Sequence, residues 1–109
     1  MTSILPKCRI TVLKKTLHDD LAGEYLEEEY GAIGPCDRFE EGEEFTVDPE
    51  GAPGEFFARC PYAWADISKD ILAVAYGCDM PGIKYRGTLI TGCTDWFRPV
   101  IFKVERVDE

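Results

Sequence analysis

Arg59-Cys-Pro-Tyr-Ala-Trp-Ala-Asp-Ile-Ser-Lys-Asp-Ile-Leu-Ala-Val-Ala-Tyr-Gly77 is the one strongly amphipathic and fully punctuated helical stretch of the chain, and its reading decides the fold. Pro61 suits the first helical position, where its fixed φ fits and its missing N–H would have had no intrahelical partner. That places Cys60 at the N-cap. Trp64, Ile67, Ile71, Val74 and Ala75 recur at helical spacing with Leu72 beside them, while Asp66, Lys69 and Asp70 share the other face. Gly77 supplies the stop. A thiol at a helix N-terminus meets unpaired N–H groups and the positive end of the macrodipole, both of which favour a thiolate.

Outward from this helix, Cys8 to Lys14 alternates, with Cys8, Ile10 and Val12 on one face, as a half-buried strand does. Cys8 then reads as a small core hydrophobe. Thr16 is placed to cap a first helix with Asp19 and Asp20 in its first turn and Leu17, Leu21, Ala22, Tyr25 and Leu26 as its apolar stripe, ending at Tyr30-Gly31. His18, the only histidine, falls in that first turn and reads as a surface residue. A breaker-rich loop from Gly31 to Pro35 delivers Cys36, and a turn at Gly42 leads into a short strand, Glu43 to Val47, with Phe39 and Phe45 expected to anchor the segment to the core. Asp48 to Glu55 is a surface loop, after which Phe56 and Phe57 resume burial. Beyond the central helix, Gly87 to Cys93 and Val100 to Val107 read as two strands of a hairpin, with Val100, Phe102 and Val104 inward.

The order β-α-β-α-β-β predicts an α+β fold, a small antiparallel or mixed sheet with two helices packed on one face. At 109 residues and 45% hydrophobic content, residues 1–109 fit a single domain around one core. The net charge of −9 is uneven, because Glu24 to Glu55 holds twelve carboxylates against Arg38, with Arg59 next in line. Such a surface repels phosphate backbones, so nucleic acid is not an expected partner. A basic protein partner or a solvated acidic face fits better. The N-terminus shows no basic region followed by a long apolar run, and the longest apolar stretch, Ile71 to Tyr76, is too short for a bilayer. The expected location is the cytoplasm, with no membrane role. The five widely spaced cysteines are then thiols or ligands rather than a disulfide scaffold.

Gly34-Pro35-Cys36, Phe39-x-Glu41-Gly42-x-Glu44-Phe45, Cys60-x-x-Ala63-Trp64-Ala65-Asp66-Ile67 and Cys93-Thr94-Asp95-x-x-Arg98-Pro99-Val100-Ile101-Phe102-Lys103 form a set of motifs. As a set they resemble a family of small, uncharacterised bacterial and archaeal proteins of about this size, over nearly the whole chain from Cys8 onward. In that family a second cysteine commonly precedes the Cys-Thr-Asp motif, where this chain has Gly92, and a glycine stands where it has Cys78. The resemblance implies no activity. It places emphasis on Cys36, Cys60 and Cys93.

Three chemistries fit these residues. The first is a zinc or iron site built from Cys36, Cys60 and Cys93, with Asp95 as an oxygen ligand, although no C-x-x-C pair is present. Cys78 is excluded from it, because a helix over residues 60–76 spans roughly 24 Å at about 1.5 Å per residue. The second is a thiol-dependent enzyme with Cys60 as nucleophile, Arg98 recognising a carboxylate or oxyanion, and Asp66 or Asp95 orienting a proton. Tyr62, Trp64 and Trp96 would wall its pocket, with Arg98 holding a small anionic ligand. The third, and least demanding, is a non-catalytic accessory or ligand-binding module.

Overall fold

Alternation along the first strand is realised in the computed structural model, which describes residues 5–30, 33–50 and 54–107. In β1 (Lys7–Lys15), Cys8, Ile10 and Val12 are buried on one face. The elements that follow are α1 (Asp19–Tyr25), a 3₁₀ turn at Glu28–Tyr30, β2 (Glu44–Val47), α2 (Gly54–Arg59), α3 (Pro61–Ala75), β3 (Thr88–Gly92) and β4 (Val100–Val107). The four strands form one antiparallel sheet in the order β2-β1-β4-β3. β1 lies centrally against β4, and Leu13 is the extra residue where the register shifts between Val12 and Lys14. The α+β order expected from the sequence therefore holds.

Helices α2 and α3 cover one face of this sheet. Ile67, Ile71 and Val74 of α3 join Ile10, Val12, Phe102 and Val104 of the central strands in one buried core. Phe56 of α2 sits within an aromatic cluster, 5.3 Å from Phe39, 5.3 Å from Phe45 and 5.4 Å from Phe102 between ring centroids. Offset and edge-on ring pairs of this kind add roughly 0.5–1.5 kcal/mol each beyond the area they bury. Phe39 belongs to a loop without regular structure, so the cluster also nails that loop to the core. The opposite face of the sheet carries polar pairs such as Arg9 with Glu105, at 3.0 Å.

Two local expectations change. α1 is shorter than its apolar stripe suggests and buries only Ala22, with Leu21 and Tyr25 exposed. Thr16 does not cap it; the Thr16 hydroxyl donates to the Pro99 carbonyl at 2.7 Å, and the Thr16 and His18 amides donate to the Pro99 and Phe97 carbonyls. The helix thus hangs from the β3–β4 turn by the short segment that enters it and does not lie on the sheet. Its expected stop at Gly31 lies outside the described residues. The second difference is α2, six residues that the sequence showed only as returning burial at Phe56.

Cys8 is fully buried, and its thiol donates to the Ile71 carbonyl at 3.6 Å. Burial pushes this thiol up from 9.0 to about 11, against a smaller opposing effect of the Arg106 charge. The folded chain therefore holds this proton more tightly than the unfolded chain does. The associated stability is complete below about pH 9 and is lost as pH rises through about 11. Two pH units correspond to about 2–3 kcal/mol. In urea unfolding, the wild type is expected to lose about 2 kcal/mol more than Cys8→Val between about pH 8.5 and 11. Parallel losses in the two proteins would refute this assignment.

Candidate functional site

The N-terminus of α3 is built as its sequence requires. Cys60 adopts extended backbone at the N-cap, and its Sγ accepts a hydrogen bond from the Ala63 amide at 3.4 Å. Sulfur here does what a serine or aspartate oxygen does at other helix starts. The Cys60 amide donates to the Phe56 carbonyl and the Cys60 carbonyl accepts from Trp64 N–H, so α2 runs into α3 through this one residue. At the far end the Gly77 amide donates to the Val74 carbonyl and the Cys78 amide to the Ala73 carbonyl, with Gly77 at φ +95°. This paired closure is a Schellman motif, which needs a left-handed residue that glycine supplies without strain.

A second segment meets this helix start. The loop ending at Phe39 carries Cys36, whose Sγ accepts the Arg38 amide at 3.5 Å. The loop is clipped to α2 by a reciprocal pair, Arg38 Nη1 to the Arg59 carbonyl at 3.4 Å and Arg59 Nη1 to the Arg38 carbonyl at 3.0 Å. Arg59 also donates to both oxygens of Glu43, which holds that carboxyl below its usual range.

The β3–β4 turn supplies the third segment. The Cys93 amide donates to the Val100 carbonyl at 3.1 Å, and the Val100 amide returns a bond to Cys93 Sγ at 3.3 Å. Within the turn Asp95 accepts from the Phe97 and Arg98 amides and from Arg98 Nε. Asp66 of α3 reaches across to it, accepting from the Thr94 amide at 2.8 Å and the Thr94 hydroxyl at 2.9 Å.

Between these segments lies a cavity of about 340 Å³, lined by Cys36, Cys60 and Cys93 together with Arg38, Arg98, Asp66, Asp95, Thr94 and Tyr62, and floored by Phe39, Ala63 and Val100. Cys36, Cys60, Cys93, Asp66, Asp95, Arg98 and Tyr62 were expected at a site from sequence, and they converge. Trp64 and Trp96 do not line the cavity. Trp64 turns toward Phe56, 6.4 Å away, and Trp96 is 71% exposed on the β3–β4 turn. Arg38 and Thr94 were not singled out, and Phe39 was expected as a core anchor, not as part of a site. The available signals were an arginine and a phenylalanine close behind Cys36, and a hydroxyl next to Cys93.

The geometry alters the roles of the polar groups. Asp66 and Asp95 both hold the β3–β4 turn by accepting hydrogen bonds from it. No histidine lines the cavity, and His18 is on the surface at the start of α1. Among the described residues, no group of three or more His, Cys, Asp and Glu side chains is gathered closely enough to hold a metal ion. For Cys36, Cys60 and Cys93, expected to share one zinc or iron ion, the structure gives a common cavity and no such group among the described residues. They line one cavity, but each sulfur is anchored within its own segment by a backbone N–H. Cys78 is exposed beyond the other end of α3.

Comparison with known protein families, with characterised proteins and with solved structures finds no match. The functional reading accordingly rests on the cavity itself.

The Asp66 bridge from α3 to Thr94 ties the residue next to Cys93 to the helix that carries Cys60. Hydrogen bonds to a charged acceptor contribute about 1.5–3 kcal/mol when well shielded, and partial exposure reduces that here. Asp66→Ala is expected to lower unfolding stability by about 1–2 kcal/mol and to speed alkylation of Cys93, with Asp66→Asn between the two. Unchanged stability and unchanged Cys93 labelling in Asp66→Ala would exclude the bridge as a positioning contact.

Proposed function

We propose that this protein is a non-catalytic accessory module that binds a small ligand, with the ligand held by sulfur in the cavity at the N-terminus of α3. The observation that carries this reading is the meeting of Cys36, Cys60 and Cys93, remote from one another in sequence, around a cavity whose carboxylates are occupied by the scaffold. Soft thiolate ligands then dominate what the site can offer. Arg38 and Arg98 give it a cationic margin suited to a small anionic ligand or an anionic group on a larger one.

A thiol-dependent enzyme acting through Cys60 is the less supported reading, because a nucleophile needs a base within hydrogen-bond reach. The accessory role includes a protein partner, for which the acidic stretch from Glu24 to Glu55 favours a basic surface and disfavours nucleic acid. Among the described residues no helix is long and apolar enough to cross a membrane. A cytoplasmic, reducing setting would keep the three thiols available as ligands.

Native mass spectrometry of protein isolated anaerobically from its own cells tests the reading. The expected spectrum shows the 12.3 kDa chain carrying added mass that is released on denaturation and is absent from a Cys36→Ser/Cys60→Ser variant. In the loaded protein, Cys36 and Cys93 should alkylate at least about fivefold more slowly than exposed Cys78. A bare chain, with the cavity thiols labelled as fast as Cys78, would overturn it.

A further inference from the structure

We propose that β3 pairs edge to edge with β3 of a second copy of this chain. The two strands run antiparallel about a two-fold axis at Thr91, which joins two four-stranded sheets into one of eight strands. This edge lies outside the cavity, and its pairing is independent of the ligand-binding reading above.

The direction of the backbone groups in β3 is the first argument. At its two ends the Arg106 amide donates to the Gly87 carbonyl at 2.9 Å and the Cys93 amide to the Val100 carbonyl at 3.1 Å, with an unbroken register to β4 between them. In an antiparallel pair, residues that exchange bonds with the neighbouring strand alternate with residues that do not. Gly87, Leu89, Thr91 and Cys93 therefore face β4, and Thr88, Ile90 and Gly92 turn their N–H and C=O groups outward. β3 ends the sheet, and among the described residues no hydrogen bond reaches these outward groups. Thr88 is buried at the start of the strand, so Ile90 and Gly92 form the accessible part of the edge. Unpaired backbone of this kind is a template for another strand.

The second argument is the contrast between the two edges. β2, at the other side of the sheet, has four residues and turns the exposed Glu44 and Thr46 outward, with Glu40, Glu41 and Glu43 just before it. A second copy laid there would set carboxylates close to carboxylates. From Gly87 to Thr94, by contrast, the chain has no charged residue and no proline. β3 thus lacks the devices that keep sheet edges apart. Two copies of a chain with net charge −9 repel over most of their surface. The neutral strand removes that repulsion along the line of contact.

Self-complementarity identifies the occupant. With the axis at Thr91, Ile90 stands opposite the partner's Gly92, and Gly92 opposite the partner's Ile90. The outward N–H and C=O of both residues then gain partners, and the isoleucine side chain fills the space that the glycine leaves. Tyr85 and Trp96, both exposed, stand six residues before and five residues after the axis. Antiparallel pairing brings Tyr85 of each copy toward the partner's Trp96, so the exposed large apolar side chains of this edge are covered together, as aromatic residues at interfaces are. The ends of the strand also differ in charge. Asp79, Lys84 and Arg86 sum to +1 before it, and Asp66, Asp95 and Arg98 sum to −1 at its far end. The positive end of each copy meets the negative end of the other. An isologous contact of this kind closes at two copies.

Sedimentation equilibrium of the whole chain in reducing buffer tests the pairing. The average mass is expected to rise from 12.3 kDa toward twice that value between about 5 and 500 μM, the range suited to a small interface. Over the same range, hydrogen exchange at the Ile90 and Gly92 amides should slow at least about threefold, and at Leu89 and Thr91, already bonded to β4, it should change less. Ile90→Lys is expected to raise the dissociation constant at least about tenfold, through lost apolar burial and like charges brought close across the axis. Leu72→Lys, on α3, should leave it unchanged, because Leu72 is 41% exposed and Ile90 40%, but only Ile90 lies on this edge. Circular dichroism verifies the fold of both variants. A wild-type chain that keeps the monomer mass at about 500 μM would overturn the proposal. So would a dimer that a folded Ile90→Lys forms equally well, or one in which the Ile90 and Gly92 amides exchange as fast as in the monomer.

Discussion

The placement of α3 across the sheet is the constraint on which the rest of the structure depends, and hydrogen bonds at both ends of the helix enforce it. Near its start, Asp66 takes two bonds from Thr94, and one turn later Asp70 accepts from the Thr91 hydroxyl at 2.8 Å. Near its end, Arg106 Nη1 donates to the Val74 carbonyl at 2.7 Å, which puts a cation where the helix dipole favours one. Gly87 makes room for that cation, since a Cβ there would stand 2.9 Å from Arg106 Nη2. Hydrophobic burial of Ile67, Ile71 and Val74 holds the helix down, but burial is non-directional. The polar ties fix its rotation and axial position, and with them the direction in which Cys60 faces.

The aromatic cluster extends this control to a segment with no regular structure. Phe39 packs against Phe45, Phe56 and Phe102, and the exchanged bonds between Arg38 and Arg59 clip the same loop to α2. Cys36 is therefore positioned three residues from a core anchor. The cavity has a wall from each of three otherwise independent parts of the chain, and each part is fixed to the same core. Such a cavity is preorganised by packing, which would lower the ordering cost of binding there.

The features legible in the sequence were those written in local chemistry. Proline at the first position, glycine after the last turn and a helical apolar period gave α3 and its Cys60 cap, and two-residue alternation gave β1 and β4. Non-local features were harder to read. Asp66 and Asp70 look like members of a solvated face because periodicity reports spacing and not what lies opposite; here β3 and its turn supply hydroxyls to both. The stripe of Leu17, Leu21, Ala22, Tyr25 and Leu26 resembles a buried face, yet only Ala22 is buried, Leu17 and Leu26 are half-buried and Leu21 and Tyr25 are exposed, so the pattern is only partly realised at α1. Phe39 and Phe45 are legible as core anchors and are buried, but that this anchoring brings Cys36 to the same cavity as Cys60 and Cys93 is a tertiary event with no local signature.

The same reasoning explains why the conspicuous polar residues of the cavity are better understood as its frame. A carboxylate next to a cysteine invites a catalytic reading, but Asp95 closes a turn through two backbone amides and a bond to Arg98. Asp66 likewise ties that turn to α3. Were either to carry protons during a reaction, each protonation would weaken the contacts that hold Cys93 toward Cys60. A site that depended on both functions would loosen at the moment of its own chemistry. Sulfur is under no such conflict. Each of the three cavity thiols receives a hydrogen bond through its sulfur and has no structural duty as a donor among these contacts. Loss of a thiol proton would therefore leave the backbone donor to each sulfur in place, and the frame with it.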